Sequence, residues 1–142
     1  MAITSSARTT WNGTLTEGSG HTTLDSGVAS FAVNWRARSE GQESVTTPEE
    51  LLAAAHASCF SMALSHGLTG AGTPPESINT SAKVTFQAGQ GITGIELSVS
   101  AKVPGLDQEG FAKAAADAKA GCPVSQALAG VTITLAAAEL LS

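Results

Sequence analysis

The chain has 142 residues, enough for one domain with a sizeable core, and we predict a single domain over residues 1–142. Its formal net charge is −5 and it has no run of Lys or Arg, which argues against nucleic acid and anionic membranes as partners. Charged residues make up 13 % of the chain, against about 25 % in an average globular protein. Because this low charge content leaves little polar surface for a monomer, we expect a partner, most simply a second copy of the chain.

The first residues lack an apolar stretch of signal-peptide length. The one long apolar run, residues 51–68, is interrupted by two histidines and three serines. It is more typical of a helix buried in protein than of a membrane span. We therefore expect a cytoplasmic protein, and a cytosolic cysteine pair that becomes oxidised is more often catalytic or redox-sensing than structural.

The first part of the chain predicts three strands, at residues 9–17, 21–25 and 30–38. In the third, Arg36 and Arg38 would lie side by side on one face of the strand. The other interpretation of this arginine pair is a solvated strand face without a function.

A long helix is predicted from Pro48 to about Leu68. Thr47 suits the N-cap, Pro48 suits the first helical position, and Glu50 has the spacing of a capping box. Glycines at the far end terminate the helix.

The rest of the chain predicts a hairpin followed by two helices and a strand. These elements are strands 78–87 and 92–103, a helix from Asp107, a short helix at 123–128, and a strand at 131–138. The order βββ-α-ββ-α-α-β predicts an α+β fold with an antiparallel sheet.

The two cysteines are 63 positions apart and lie in different settings. Cys59 falls within the apolar helix, where burial raises the pKa of a thiol and makes it inert. Cys122 precedes Pro123, near a helix N-terminus that favours a thiolate. A redox pair and two inert core residues both remain open. As a nucleophile Cys59 needs a cation, and Arg36 and Arg38 form the only cationic pair shortly before its helix.

Glu49 precedes Cys59 by ten residues, which is about 15 Å along a straight helix. Contact between them therefore requires a second subunit or a bent first turn. The useful role of Glu49 near a thiol is to bind and orient an arginine. A carboxylate that interacts only with the helix dipole is an equally natural interpretation.

His56 precedes Cys59 by three residues and shares its face of the helix. A thiol hydrolase or a metal site would use such a pair, but the chain has no Cys-x-x-Cys and its three histidines are scattered. We predict no metal, and we interpret His56 as a packing residue with one satisfied hydrogen bond.

Two segments resemble the osmotically inducible protein C and organic hydroperoxide resistance family. They are Thr46–Ser65, with Ala-Ala-His-Ala-Ser-Cys-Phe-Ser-Met, and Lys119–Leu128, with Gly-Cys-Pro-Val-Ser-Gln. Trp11-Asn-Gly and Arg38-Ser-Glu-Gly place the chain closer to the osmotically inducible protein C branch. The resemblance spans nearly the whole chain in the same order.

The resemblance implies a thiol peroxidase that reduces organic hydroperoxides without a cofactor. It makes Cys59 the peroxidatic cysteine and Cys122 the resolving one, joined in a disulfide during turnover. It assigns the catalytic arginine to Arg38, with Arg36 as the alternative, and its carboxylate partner to Glu49.

The same resemblance implies an OsmC-like fold, an intertwined homodimer in which antiparallel sheets surround long central helices. Two active sites would lie at the dimer interface, and dithiols would be the reductant, with lipoyl groups as a candidate source. Phe60 and Met62 are the candidates for an apolar substrate pocket.

Two other functions remain open from the residues alone. The first is a non-catalytic protein that binds an apolar ligand in the dimer cavity, with both cysteines as filler. The second is a hydrolase that uses Cys59 and His56.

Overall fold

The computed structural model describes all 142 residues, and they form two compact units, residues 1–51 and residues 52–142. The first unit holds three strands, a short helix and the first turn of the long helix that follows. The second holds the rest of that helix and the remaining strands and helices. The prediction of one domain over the whole chain stays a prediction.

The first unit contains an antiparallel sheet of β1 (Ala7–Asn12), β2 (Ser19–Leu24) and β3 (Ser30–Val33), in that order. Three strands were predicted here. The first ends earlier than predicted because a turn follows Asn12, in which the Gly18 amide donates to the Thr14 carbonyl at 2.8 Å.

The predicted extension of the third strand to Arg38 is wrong. Strand β3 ends at Val33, and a five-residue helix α1 spans Trp35–Ser39. The cause is Asn34, whose side-chain oxygen accepts a hydrogen bond from the Ala37 amide at 2.8 Å and caps the turn. Arg36 and Arg38 therefore lie on a helix, about 200° apart around its axis, and share no strand face.

Helix α2 spans Pro48–Gly70 and begins where the sequence predicts. The Thr47 hydroxyl accepts a hydrogen bond from the Glu50 amide at 3.0 Å, which is the predicted cap. In a capping box the Glu50 carboxylate would accept from the Thr47 amide. Here it accepts from the Thr46 hydroxyl, at 2.6 Å. The helix ends two residues beyond the predicted end, before Gly72, which has a positive φ of 85°.

The second unit also contains β4 (Ser77–Gln87), β5 (Gly91–Lys102), α3 (Gln108–Gly121), α4 (Pro123–Ala127) and β6 (Ile133–Leu141). Strands β4 and β5 form the predicted antiparallel hairpin. Helix α3 begins at its predicted cap, because Asp107 Oδ1 accepts from the Gly110 amide at 2.8 Å. The α+β class is confirmed.

The prediction of purely antiparallel sheets is wrong for this second sheet. Strand β6 pairs with β5 in parallel, with Leu135 opposite Leu97. Helices α3 and α4 form the crossover that returns the chain to the same end of the sheet, as a parallel pair requires.

One stripe of helix α2, with a residue every fourth position, is buried in the second unit: His56, Phe60, Leu64 and Leu68. The stripe lies in a core with side chains of β5 and α3, among them Leu97, Val99, Phe111 and Ala115. This core holds the helix segment that contains Cys59 in place.

Helix α2 is also the one helix that is long and apolar enough, by length and composition alone, to cross a membrane. The core helix of a soluble protein passes the same test. Only 22 % of its most apolar window is buried within this chain, and Met62 on its outer side is 67 % exposed.

Candidate active site

The two cysteines, 63 residues apart in sequence, meet in the second unit. Cys59 lies on helix α2 and is half-buried, whereas Cys122 is completely buried at the N-cap of helix α4. Both are free thiols, and they lie close enough for each to affect the pKa of the other. A sulfur that solvent reaches therefore lies next to one that solvent does not reach.

The surroundings of the two sulfurs differ in their effect on ionisation. Burial alone would raise the pKa of Cys122, but hydrogen bonds from Cys59, from the Ser125 amide and hydroxyl, and from the Val124 amide lower it. The pKa of Cys59 is raised, first by burial, then by its hydrogen bond to Cys122 and by the charge there. Within this unit Cys122 is therefore the first thiol to ionise.

His56 is completely buried on helix α2, and its Nε2 lies 2.7 Å from the hydroxyl oxygen of Ser125. Its Nδ1 is buried without a hydrogen-bond partner. Burial lowers the pKa of His56, so the ring is held neutral. The expected hydrogen bond of this histidine exists on one ring nitrogen only.

An apolar groove of about 720 Å³ opens beside Cys59. Its walls come from the C-terminal half of α2 and from α3. Its lining includes Cys59, Met62, Leu68, Leu106, Ala114 and Ala118. The groove gives an alkyl-sized molecule a route to the half-buried sulfur.

One predicted pocket residue lines this groove and the other does not. Met62 lies on the groove wall, as expected. Phe60 does not, because it points into the core and is completely buried. Its position one residue after Cys59 turns it about 100° away around the helix.

Arg38 and Glu49 form an ion pair within the first unit. Arg38 donates from Nε and Nη2 to Glu49 Oε1, at 3.0 and 2.7 Å. The Glu49 side chain is only 7 % exposed and that of Arg38 is 32 % exposed. Arg36 instead lies on the surface, with its Nε 3.6 Å from Glu40. Of the two candidate arginines, Arg38 is the one that Glu49 binds.

The structure thus brings the four predicted site residues together as two pairs, one in each unit. Sequence reasoning missed Ser125, which contacts His56 across 69 positions. The only signal was its position three residues after Cys122, the spacing of a side chain that reaches back to an N-cap. The contribution of helix α3 to the groove had no signal in the sequence.

This arrangement defines an α+β protein with a paired-thiol site beside an apolar groove. The family model described as OsmC-like protein matches residues 41–136. The chain belongs to the OsmC family, and the predicted resemblance is confirmed.

Two similar proteins support this assignment, and a third shares the fold. Peroxiredoxin OsmC of Escherichia coli (strain K12) is 44 % identical over 132 residues, covering 90 % of this chain and 92 % of that protein. The organic hydroperoxide resistance protein OhrB of Bacillus subtilis has a structure with a TM-score of 0.64 at 28 % identity, covering 96 % and 98 % of the two chains. An organic hydroperoxide resistance protein OsmC from Legionella pneumophila, at 23 % identity, shares the fold with a TM-score of 0.74 and 98 % coverage of both chains.

Proposed function

We propose that this protein is a thiol peroxidase that reduces organic hydroperoxides to alcohols, with Cys59 as the peroxidatic and Cys122 as the resolving cysteine. The main support is the contact between the two thiols, one of them open to an apolar groove. The 44 % identity to a protein named Peroxiredoxin OsmC supports peroxidase chemistry.

In the first step, the Cys59 sulfur attacks the distal oxygen of the hydroperoxide. A sulfur–oxygen bond forms, the oxygen–oxygen bond breaks, and the alkoxide leaves as the alcohol after taking a proton. Cys59 is thereby oxidised to a sulfenic acid, and the peroxide is reduced.

This step needs a positive charge, because burial and Cys122 both raise the pKa of Cys59. We assign that charge to Arg38, which would stabilise the Cys59 thiolate and the charge that develops on the peroxide oxygens. Glu49 would fix the orientation of the guanidinium through their ion pair.

In the second step, Cys122 displaces the hydroxyl group of the Cys59 sulfenic acid and forms the Cys59–Cys122 disulfide. An external dithiol, for which a lipoyl group is the candidate, then reduces the disulfide by two thiol–disulfide exchanges and is itself oxidised to a disulfide. No metal or bound cofactor takes part.

The groove supports an organic rather than an inorganic peroxide as the substrate. Its walls near Cys59 are mainly apolar, as in Met62, Leu106 and Ala114. Burying an alkyl group there contributes about 25 cal/mol per Å², which hydrogen peroxide cannot gain.

We further propose a homodimer, acting in the cytoplasm. The support is the low burial of helix α2, whose apolar window is 22 % buried within one chain. Covering that surface with a second copy would remove it from water.

The function is tested by dithiol-dependent turnover of an alkyl hydroperoxide. Cys59→Ser is expected to abolish turnover, and Cys122→Ser to stop after one oxidation, with a sulfenic acid on Cys59 seen by mass spectrometry. Ser58→Ala, one residue away on the exposed side of α2, is the matched control and keeps the wild-type rate. Full turnover by Cys59→Ser would disprove the assignment.

The groove would equally accept an apolar ligand without any reaction. The two functions differ in the fate of the thiols. A peroxidase gives a Cys59–Cys122 link within one turnover of added hydroperoxide. A binding protein leaves both thiols reduced until it is denatured.

A further inference from the structure

His56 is a buried titratable group that the peroxidase steps above do not use. It is completely inaccessible to solvent, and its only polar contact is with Ser125, which is 6 % exposed. The two residues are 69 positions apart in sequence, so the tertiary fold brings them together. Their contact lies where water does not reach.

Ser125 connects this histidine to the resolving cysteine. It is the third residue after Cys122, in the first turn of helix α4, which Cys122 precedes as the N-cap residue. Its hydroxyl and its amide both act to lower the pKa of Cys122. A serine has one hydroxyl proton and two acceptor lone pairs, so a hydroxyl turned toward the sulfur can still accept at its oxygen from another group. The neighbour in hydrogen-bonding distance of that oxygen is Nε2 of His56.

The unpartnered Nδ1 favours the same arrangement. With the proton on Nε2, the buried Nδ1 is a bare acceptor; the other tautomer would bury an N–H with no acceptor. Buried N–H groups without a partner are the rarer case in proteins. In this tautomer His56 Nε2–H donates to Ser125 Oγ, which leaves the Ser125 hydroxyl proton available for the Cys122 sulfur.

We propose that His56 is a positioning residue for the resolving step, because it directs the Ser125 hydroxyl at the Cys122 sulfur and so sets the rate at which Cys122 attacks Cys59. The inference rests on the proposed function for its peroxide step, but its core concerns the attack of Cys122 alone. The Cys122 thiolate attacks the sulfur of the Cys59 sulfenic acid, the disulfide bond forms, and the sulfur–oxygen bond breaks. The hydroxide that leaves takes a proton from solvent and becomes water.

The test separates resolution from peroxide chemistry. Cys59 is converted to a mixed disulfide with the coloured aromatic thiol of Ellman's reagent, and the rate at which Cys122 displaces this thiol is followed by absorbance. Ser125→Ala and His56→Leu are each expected to slow the release about tenfold, as for the loss of one hydrogen bond to a charged group. The double variant is expected to be no slower than Ser125→Ala.

Conservative variants distinguish positioning from mere packing. His56→Gln keeps an N–H donor near the place of Nε2, and Ser125→Thr keeps the hydroxyl, so both are expected to stay close to the wild-type rate. His21→Leu, on the exposed sheet of the first unit, is the control. Melting curves establish that each variant is folded, and Ser125→Ala alone decides the matter if His56→Leu does not fold.

Wild-type release rates in both Ser125→Ala and His56→Leu would overturn the proposal. Equal loss in His56→Gln and His56→Leu would overturn it too, since packing alone would then explain the effect. If hydroperoxide leaves no sulfenic acid on Cys59 of Cys122→Ser while the release assay still depends on His56, the peroxidase proposal fails and this inference stands.

Discussion

Arg38 binds Glu49 with two nitrogens of its guanidinium, at 3.0 and 2.7 Å from the same carboxylate oxygen. The carboxylate is almost fully buried and the guanidinium is partly exposed. The pair thus has a fixed inner member and an outer member that solvent still reaches. This is the geometry expected of an arginine that a carboxylate holds in one orientation.

The first prediction concerns which arginine acts in catalysis. Arg38→Met is expected to lower kcat/KM for an alkyl hydroperoxide about 100-fold, as for the loss of one preorganised charge at the reacting atoms. Arg38→Lys keeps the charge but not the two-nitrogen contact, so its kcat/KM should fall between those of the wild type and Arg38→Met. Arg36→Met is the matched control, since Arg36 lies on the surface beside Glu40. If Arg36 is the catalytic residue, Arg36→Met lowers kcat/KM more than Arg38→Met does.

The second prediction concerns the stability of the same ion pair. Removing one partner of a fully buried pair costs about 3–5 kcal/mol, and Arg38 is a third exposed, so we expect about 2 kcal/mol for Arg38→Met. Arg38→Met/Glu49→Gln should recover part of this loss, because no uncompensated carboxylate remains. Urea unfolding at an unchanged m-value measures both.

The exposed pair of Arg36 and Glu40 is the control for that cycle. Its double variant, Arg36→Met/Glu40→Gln, should change the free energy of unfolding by less than about 0.5 kcal/mol. A double variant at Arg38 and Glu49 that is less stable than Arg38→Met would contradict the expected role of the buried charge.

The sequence predicts best those elements whose signals are local. Thr47 and Pro48 define the start of α2, and Asp107 the start of α3, because a cap depends only on residues within one turn. The predicted end of the third strand was wrong because a local cap also acts there. The alternation through Arg36 and Arg38 favours a strand, but Asn34 caps a helical turn at that point.

Features that depend on distant residues had no such signal. The parallel pairing of β5 with β6 follows from the path of two intervening helices. The contact of His56 with Ser125 joins residues 69 positions apart. The pairing of Cys59 with Cys122 was expected only through the family resemblance, because nothing in the spacing of two lone cysteines specifies their distance in space.

The third prediction concerns the groove beside Cys59. Ala114→Phe places a ring in its wall and is expected to raise the KM for a bulky aromatic hydroperoxide about tenfold, with little change for hydrogen peroxide. Ala112→Phe, on the same helix but exposed and away from the groove, is the matched control. An equal change for both peroxides would mean that the groove does not bind the alkyl group.

The fourth prediction concerns acid stability. Burial lowers the pKa of His56 in the folded protein below its ordinary value of 6.5. Below pH 6.5 the unfolded chain therefore binds more protons at this site, and the free energy of unfolding falls as the pH falls. The limiting slope for one site is about 1.4 kcal/mol per pH unit.

Urea unfolding between about pH 5 and about pH 7, where a histidine titrates, measures this slope. His56→Gln should flatten it, whereas His66→Gln, which replaces an exposed histidine, should keep it. An identical slope in wild type and His56→Gln would show that another group causes the acid sensitivity.

The fifth prediction concerns the shared ionisation of the thiols. In the folded protein the pKa of Cys122 lies below the ordinary value of 9.0 and that of Cys59 lies above it. Between the Cys122 pKa and pH 9.0 the unfolded chain holds more protons, so stability rises with pH. Above pH 9.0 the folded chain holds more, so stability falls until Cys59 has ionised. The contribution of the pair to stability is therefore greatest near the ordinary thiol pKa.

The measurement is the free energy of unfolding, under reducing conditions, of the wild type minus that of Cys59→Ser/Cys122→Ser across this pH range. Subtracting the variant cancels the titration of lysines and other groups that both proteins share. We expect the difference to pass through a maximum. A difference that only falls with pH would mean that both thiols are simply buried and neutral, which would remove the electrostatic basis for Cys122 as the attacking thiolate.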